Sequence, residues 1–415
     1  MKKFYTLLAA LGVTASMAAQ QLPNAGFDTD WVDCYPWSTD TNPNGPFEGS
    51  QKKGQTPAPW CIANVYAMKG LGAAEVGTKV EGHNGGFAIK LTNQTVWGQQ
   101  IPGYMALGTT WNTSELSGLS PNPGTKDGGS FGGIEFTYRP DALSFYYKRE
   151  NGNDKPASVV AYTWKGTWTQ ADVPGTVASK EPKTDNMIDR DRNILGMEPT
   201  TTGGKVTASD DAKLISKINM TFTGDKAEWT LMEIPFEYNG EETPEKINVA
   251  FAAGEYFSTD VPKNLSLTVD DVKLVYYSRL SGLKFKDADI ADFDPDKFDY
   301  ALDEVMPTDE AALEATTMGN SGVAKAAVEL DQQNNVAKIT VTNDHGNDSD
   351  DQNSHVYTVK FLPAGSSIND VIDMTSADVR YVDLYGNAVA ADALVNGQTY
   401  IKLVNGKATK VIANN

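Results

Sequence analysis

The chain is poor in the residues from which most catalytic and metal centres are built: 415 residues contain two cysteines and three histidines, His83, His345 and His355. No His-Glu-x-x-His pair, Gly-x-Ser-x-Gly elbow or phosphate-binding loop occurs, and GGSFGG at 128–133 lacks the lysine and helix of a phosphate cradle. Cys34 and Cys61, in WVDCYPW and APWCIANV, match no metal-ligand spacing; in an oxidising compartment they form one disulfide or remain two buried thiols. Positive charge is also short. With 35 Lys and Arg against 54 Asp and Glu the net charge is −19, which argues against nucleic acid or an anionic membrane as partner, since phosphate recognition rests on cationic surface. Past the N-terminal region no stretch approaches the ~18 apolar residues of a spanning helix, so membrane insertion is not expected. Acidic charge on this scale keeps an exported protein soluble and leaves neutral sugars, cations and basic partners open.

What is present begins with Met1-Lys2-Lys3 and the apolar run FYTLLAALGVTASMAA, in which Ser16-Met17-Ala18 is a small-x-small cleavage site: the layout of a secretory signal peptide. Export is therefore expected, to the cell surface or medium, or else to the periplasm. Without a cysteine at the cleavage point, a lipid anchor is not. A chain of this length exceeds what one core organises, so two or three are expected. Its texture is all-β. Short alternating runs at 86–91, 142–147, 157–162, 229–236, 247–252 and 266–277 are bounded by Gly, Pro, Asn and Asp, and helical periodicity is scarce. Polar stretches at 41–59 and 174–210 read as loops decorating a sandwich. Texture shifts near Ser278 and after Pro363 divide the chain into a signal peptide (1–19), a first unit (20–278), a second of the size of an immunoglobulin-like sandwich (279–363), and a small C-terminal β unit (364–415). Asn396-Gly397 and Asn405-Gly406 mark tight turns in the last.

In RPDALSFYYKR, strand alternation sends Leu143, Phe145 and Tyr147 to one face and Ser144, Tyr146 and Lys148 to the other. The first set suits an inter-sheet core; Tyr146 beside Lys148 suits an open sheet face. Sugars lay their C–H faces on aromatic rings and direct hydroxyls to amide, carboxylate or guanidinium partners. Rings in polar contexts are therefore the candidate saccharide contacts: Trp37, Trp60, Trp97, Tyr104, Trp111, Tyr146, and Trp164 with Trp168, with Arg139 as a polar partner. Trp31 and Trp229, in alternating segments, are assigned to the core. The loop NDHGNDSDDQNS (343–354) reads as a solvated turn or a cation site. Glu135, Glu233 and Glu237 read as outward-facing, and no pair of acids stands out for glycosidic hydrolysis.

In order along the chain, NAGFDTDW (24–31), APWCIAN (58–64), EGHNGGFAIKLTN (81–93), FTYRPDALSFYYKR (136–149), EWTLMEIPFEY (228–238) and SLTVDDVKLVYY (266–277) resemble the putative carbohydrate metabolism domain family. That resemblance implies a jelly-roll-like β-sandwich in exported proteins of glycan-using bacteria. Likeness to sandwich carbohydrate-binding modules further implies a structural calcium, with Asp270 of VDDV and Asp28 as ligands. LSGLKF, FDPDKFDYAL, ITVTN and HVYTVKF resemble the cadherin-like β-sandwich family, implying an immunoglobulin-like spacer. VDLYGNAVA and LVNGQTYIKLVNGKATKVIA resemble the C-terminal sorting domains of type IX secretion substrates, implying passage across the outer membrane with secretion machinery as a partner. The expected function is non-covalent recognition of an oligo- or polysaccharide. A glycoside hydrolase acting through two carboxylates, and a structural or adhesive surface protein, are the other classes open.

Overall fold

Segments rich in apolar residues pair into sheets, and the computed structural model is all-β among the described residues. The structure describes residues 21–33, 54–63, 65–68, 72–96, 99–112, 116–117, 120–121, 128–131, 133–166, 194–195, 212–258, 260–362, 379–384, 387–404 and 407–413. A five-stranded antiparallel sheet has the order Lys226–Pro235, Ala142–Glu150, Ser266–Val275, Phe87–Thr92, Gly77–Glu81. A seven-stranded sheet lies against it, with Lys213–Phe222, Ala157–Lys165 and Lys246–Ala252 at its centre. Leu143, Phe145 and Tyr147 from the first sheet meet Val159, Ala161 and Phe251 from the second, and Phe145 packs edge-on to Phe251 at 5.0 Å. The expected parity of the 142–150 strand thus holds. Each of the larger apolar side chains so buried contributes about 1.5–3 kcal/mol.

A second core, built around Leu283, Tyr300, Ile339, Tyr357 and Val359, lies between a three-stranded and a four-stranded sheet. One pair here is parallel, Asp299–Val305 with Ser354–Leu362. A last four-stranded sheet, with Val379–Val382 and Thr399–Val404 paired at its centre, closes on Tyr381, Tyr400 and Ala413.

The first and second cores are joined by polar groups taken out of water. Asp141, 1% exposed, accepts N–H bonds from Ser321 and Tyr277, both at 2.9 Å, and a longer one from Asn343 Nδ2. Arg139, expected to face a sugar, is 5% exposed instead: its guanidinium donates to the carbonyls of Ser321 (2.7 Å), Gly240 (2.9 Å) and Glu242, and stacks on Tyr238. A buried guanidinium needs acceptors for its donors, and these carbonyls supply them. The 343–354 loop also serves the joint. Asp348 is fully buried, accepting from Ser278 N and pairing with Arg279; Asp350 binds His355 and Arg279, and Asp351 binds Lys273. Its acids therefore clamp the linker between the cores, and neither expectation for the loop describes them fully.

Arg139→Ala is expected to lower stability by about 3 kcal/mol in urea unfolding, because three carbonyls lose a charged donor. Arg139→Lys should recover little of it, since an ammonium cannot match the guanidinium fork. Unchanged stability in the alanine variant would remove Arg139 from the joint.

Candidate functional site

The outer face of the five-stranded sheet carries the even residues of the 142–150 strand, and across it Tyr146 pairs with Leu231 on one side and Asp270 on the other. Register slips between Ser144 and Tyr146, and Asp271 there takes a φ of +47°, so that a bulge turns its carboxylate outward. The turn EGHNGGF closes over this point. His83 N donates to Asp270 Oδ2 at 2.7 Å and Phe87 N to Asp28 Oδ1 at 2.8 Å. Gly86 has a φ of +66°, and a Cβ there would lie 1.9 Å from Asp28 Oδ1, so only glycine fits.

Anchored in this way, the turn sets the His83 ring on Tyr146, with centroids 3.6 Å apart and planes 20° apart. Trp229 meets His83 edge-on at 5.7 Å, and Lys148 Nζ lies 4.8 Å from the Trp229 ring. Leu231, 54% exposed, continues the apolar surface. On the polar side, His83 Nδ1 lies 3.1 Å from Asp271 Oδ2 and 2.9 Å from Asn84 Nδ2. The result is a small aromatic cluster with amide, imidazole, carboxylate and ammonium groups at its rim, which suits stacking and hydrogen bonding to a polar ligand.

Beneath it, Asp270 is 2% exposed and spends its oxygens on backbone N–H groups of His83 and Asp271. Burial raises its pKa from 3.8 to about 6, and the Asp271 and Asp28 charges add to the rise. Such a trio of carboxylates would suit calcium by donor type. Among the described residues, however, no three Asp, Glu, His or Cys side chains converge as a metal site.

Of the rings expected to meet a sugar, Trp60, Tyr104 and Trp164 are buried. Trp60 packs on Phe27 and Phe251 with its Nε1 donating to Pro23 O, and Tyr104 lies in the same core edge-on to Tyr256. Trp164 does point away from the inter-sheet core, but Ile194 and Leu195 pack with it in a second apolar cluster. Tyr146 is half-buried, one ring face taken by His83. Trp37, Trp97, Trp168 and Cys34 lie outside the described residues, as does the side chain of Trp111; Cys61 is buried. Trp229, assigned to the core, is half-buried on the outer face; Trp31 is half-buried under Lys79. Glu135, Glu233 and Glu237 are exposed.

No family model matches the chain, and no curated protein matches it either. Among solved structures it is similar to a putative glycoside hydrolase from Bacteroides thetaiotaomicron, at 16% identity over 60% of this chain and 73% of that one, with a TM-score of 0.34. A putative glycoside hydrolase from Bacteroides vulgatus gives 14%, 55%, 87% and 0.33 in the same order. A family 11 carbohydrate-binding module from Clostridium thermocellum, in complex with a beta-1,3-1,4-mixed-linked tetrasaccharide, gives 13%, 56%, 92% and 0.22. Likeness this low assigns no residue and no chemistry.

His83 and Trp229 were the members of the cluster that sequence reasoning missed. The one signal available was EGHNGGF itself, whose paired glycines flag a tight turn that projects the histidine.

Two outcomes follow from this geometry. Gly86→Ala should lower the thermal midpoint, through loss of the Asp28 anchor and strain at positive φ, by an amount matching about 2 kcal/mol; a midpoint equal to the parent's would show that the turn does not depend on Asp28. The Asp270 carboxyl titrates higher in the folded state than its ordinary 3.8, so its stabilising contribution is complete below about pH 4 and lost as pH rises through about 6. Between pH 4 and 7, the stability of Asp270→Asn relative to the parent should therefore rise by about 2–3 kcal/mol, and a pH-independent difference would contradict the raised value.

Proposed function

We propose that the first sandwich binds an oligo- or polysaccharide non-covalently on the outer face of the five-stranded sheet, around Tyr146, His83, Trp229 and Leu231. The supporting observation is the ring cluster itself: an apolar surface on a sheet face, rimmed by Asn84, Asp271 and Lys148. A pyranose presents the matching pattern, a C–H face bordered by hydroxyls. Each net hydrogen bond in such a water-exposed site contributes only about 0.5–1.5 kcal/mol, so affinity is modest.

In this reading the protein is exported, the 279–363 unit is an immunoglobulin-like spacer, and the 364–415 unit is a sorting tail that engages secretion machinery and leaves the protein at the cell surface or outside it. Calcium on Asp28 and Asp270 would need carbonyls or water to complete its six to eight oxygens; a thermal midpoint raised by millimolar calcium and restored by chelator supports it, and an unmoved one removes it.

Retention on a panel of plant and host polysaccharides tests the main reading. Tyr146→Ala and Trp229→Ala should each weaken retention by about tenfold, the loss of one or two kcal/mol of ring contact. Release of new reducing ends would make the protein a hydrolase instead. Neither retention nor product would favour the structural or adhesive class.

A further inference from the structure

Most charged side chains on the outer face already have partners. Four acids on or beside it are engaged: Glu150 pairs with Lys90 and accepts from Ser266 Oγ, and Glu233 accepts from Tyr277 Oη at 2.5 Å. Asp270 takes two backbone N–H groups, and Asp271 faces His83 and Asn84. Two of its lysines are likewise taken, Lys90 by Glu150 and Lys273 by Asp351 and the carbonyls of Asp348 and Ser349.

Lys148 differs. It forms no ion pair with any described carboxylate, although the chain holds 54 acids and 35 Lys and Arg. Its ammonium lies against the Trp229 ring, and a cation held over an aromatic face keeps its outer N–H donors available. Two residues along one strand face separate it from Tyr146 by about 7 Å, within reach of a substituent on a sugar seated at the ring cluster.

Resting on the saccharide reading above, we propose that the ligand carries an anionic group, the oxygens of a carboxylate or sulfate, and that Lys148 receives it beside Trp229. Lys148 thereby sets which glycans the face accepts. A neutral polymer would leave this ammonium without a counter-charge, whereas an anionic one gains a charge-assisted hydrogen bond.

The test uses the full chain with three soluble polymers: a neutral glucan, a uronate-rich polysaccharide and a sulfated one, at low and at high sodium chloride. At low salt at least one anionic polymer should bind about tenfold more tightly than the glucan, as one charge-assisted bond allows. Added salt should erase the preference. Lys148→Gln should remove it and Lys148→Arg should keep it, with unfolding midpoints confirming that both variants fold. Preference for the uronate polymer alone or the sulfated one alone identifies the group. Equal or tighter binding of the glucan, or a preference that survives in Lys148→Gln, overturns the proposal while leaving saccharide binding intact. Binding of none of the three by the parent overturns both.

Discussion

Asp141 is the constraint on which the arrangement of the two larger cores depends. A carboxylate removed from water needs a donor for nearly every lone pair it can no longer give to solvent, and no lysine or arginine side chain pairs with it among the described residues. Its donors come from Tyr277, just past the 266–275 strand, and from Ser321 and Asn343 in the second unit, so they assemble only when both units are in place. Burial raises its pKa to about 6, partly offset by those N–H groups. Asp141 also immediately precedes the 142–150 strand. Fixing it there fixes the parity by which Phe145 enters the core and Tyr146 and Lys148 face outward.

That parity was legible in the sequence because alternation is a local property. The same holds for the strands at 87–92, 157–165, 246–252 and 266–275, whose expected and observed spans differ only at their ends. Burial of individual rings was not legible, because it depends on what lies above them. Trp164 faces away from the inter-sheet core as an exposed platform would, yet Ile194 and Leu195, thirty residues on, pack with it. Trp60 sits in a polar loop by sequence, but its neighbours in space are Phe27 and Phe251. Arg139 reads as a surface guanidinium until the carbonyls of residues 240, 242 and 321 are seen to converge on it.

The site illustrates the same division. Tyr146 was visible as an outward ring with a lysine two residues on, whereas His83 was not tied to it by any local pattern: its anchor, Asp270, lies 187 residues away. What the sequence does encode is the turn's shape, since Gly86 leaves no room for a Cβ against Asp28. The alternation of its segment predicts a core position for Trp229, but alternation identifies two faces without saying which is inner. The inner set on that strand is Met232 and Ile234, and Trp229 joins Leu231 outside.

Asp141 and Asp270 are the same device used twice. Each is a buried acid held chiefly by backbone N–H groups, and each ties a distant segment to the strand pair 142–150 and 266–275. An apolar residue at either position would avoid the desolvation penalty, but it could not select one loop position over another, because hydrophobic contact is non-directional. A carboxylate can. Asp141 specifies how the second unit sits on the first, and Asp270 specifies where the 82–87 turn stops, which is what brings the His83 ring to 3.6 Å from Tyr146. Stability at neutral pH is thus traded at two points for placement, and the candidate ligand face is the product of the second.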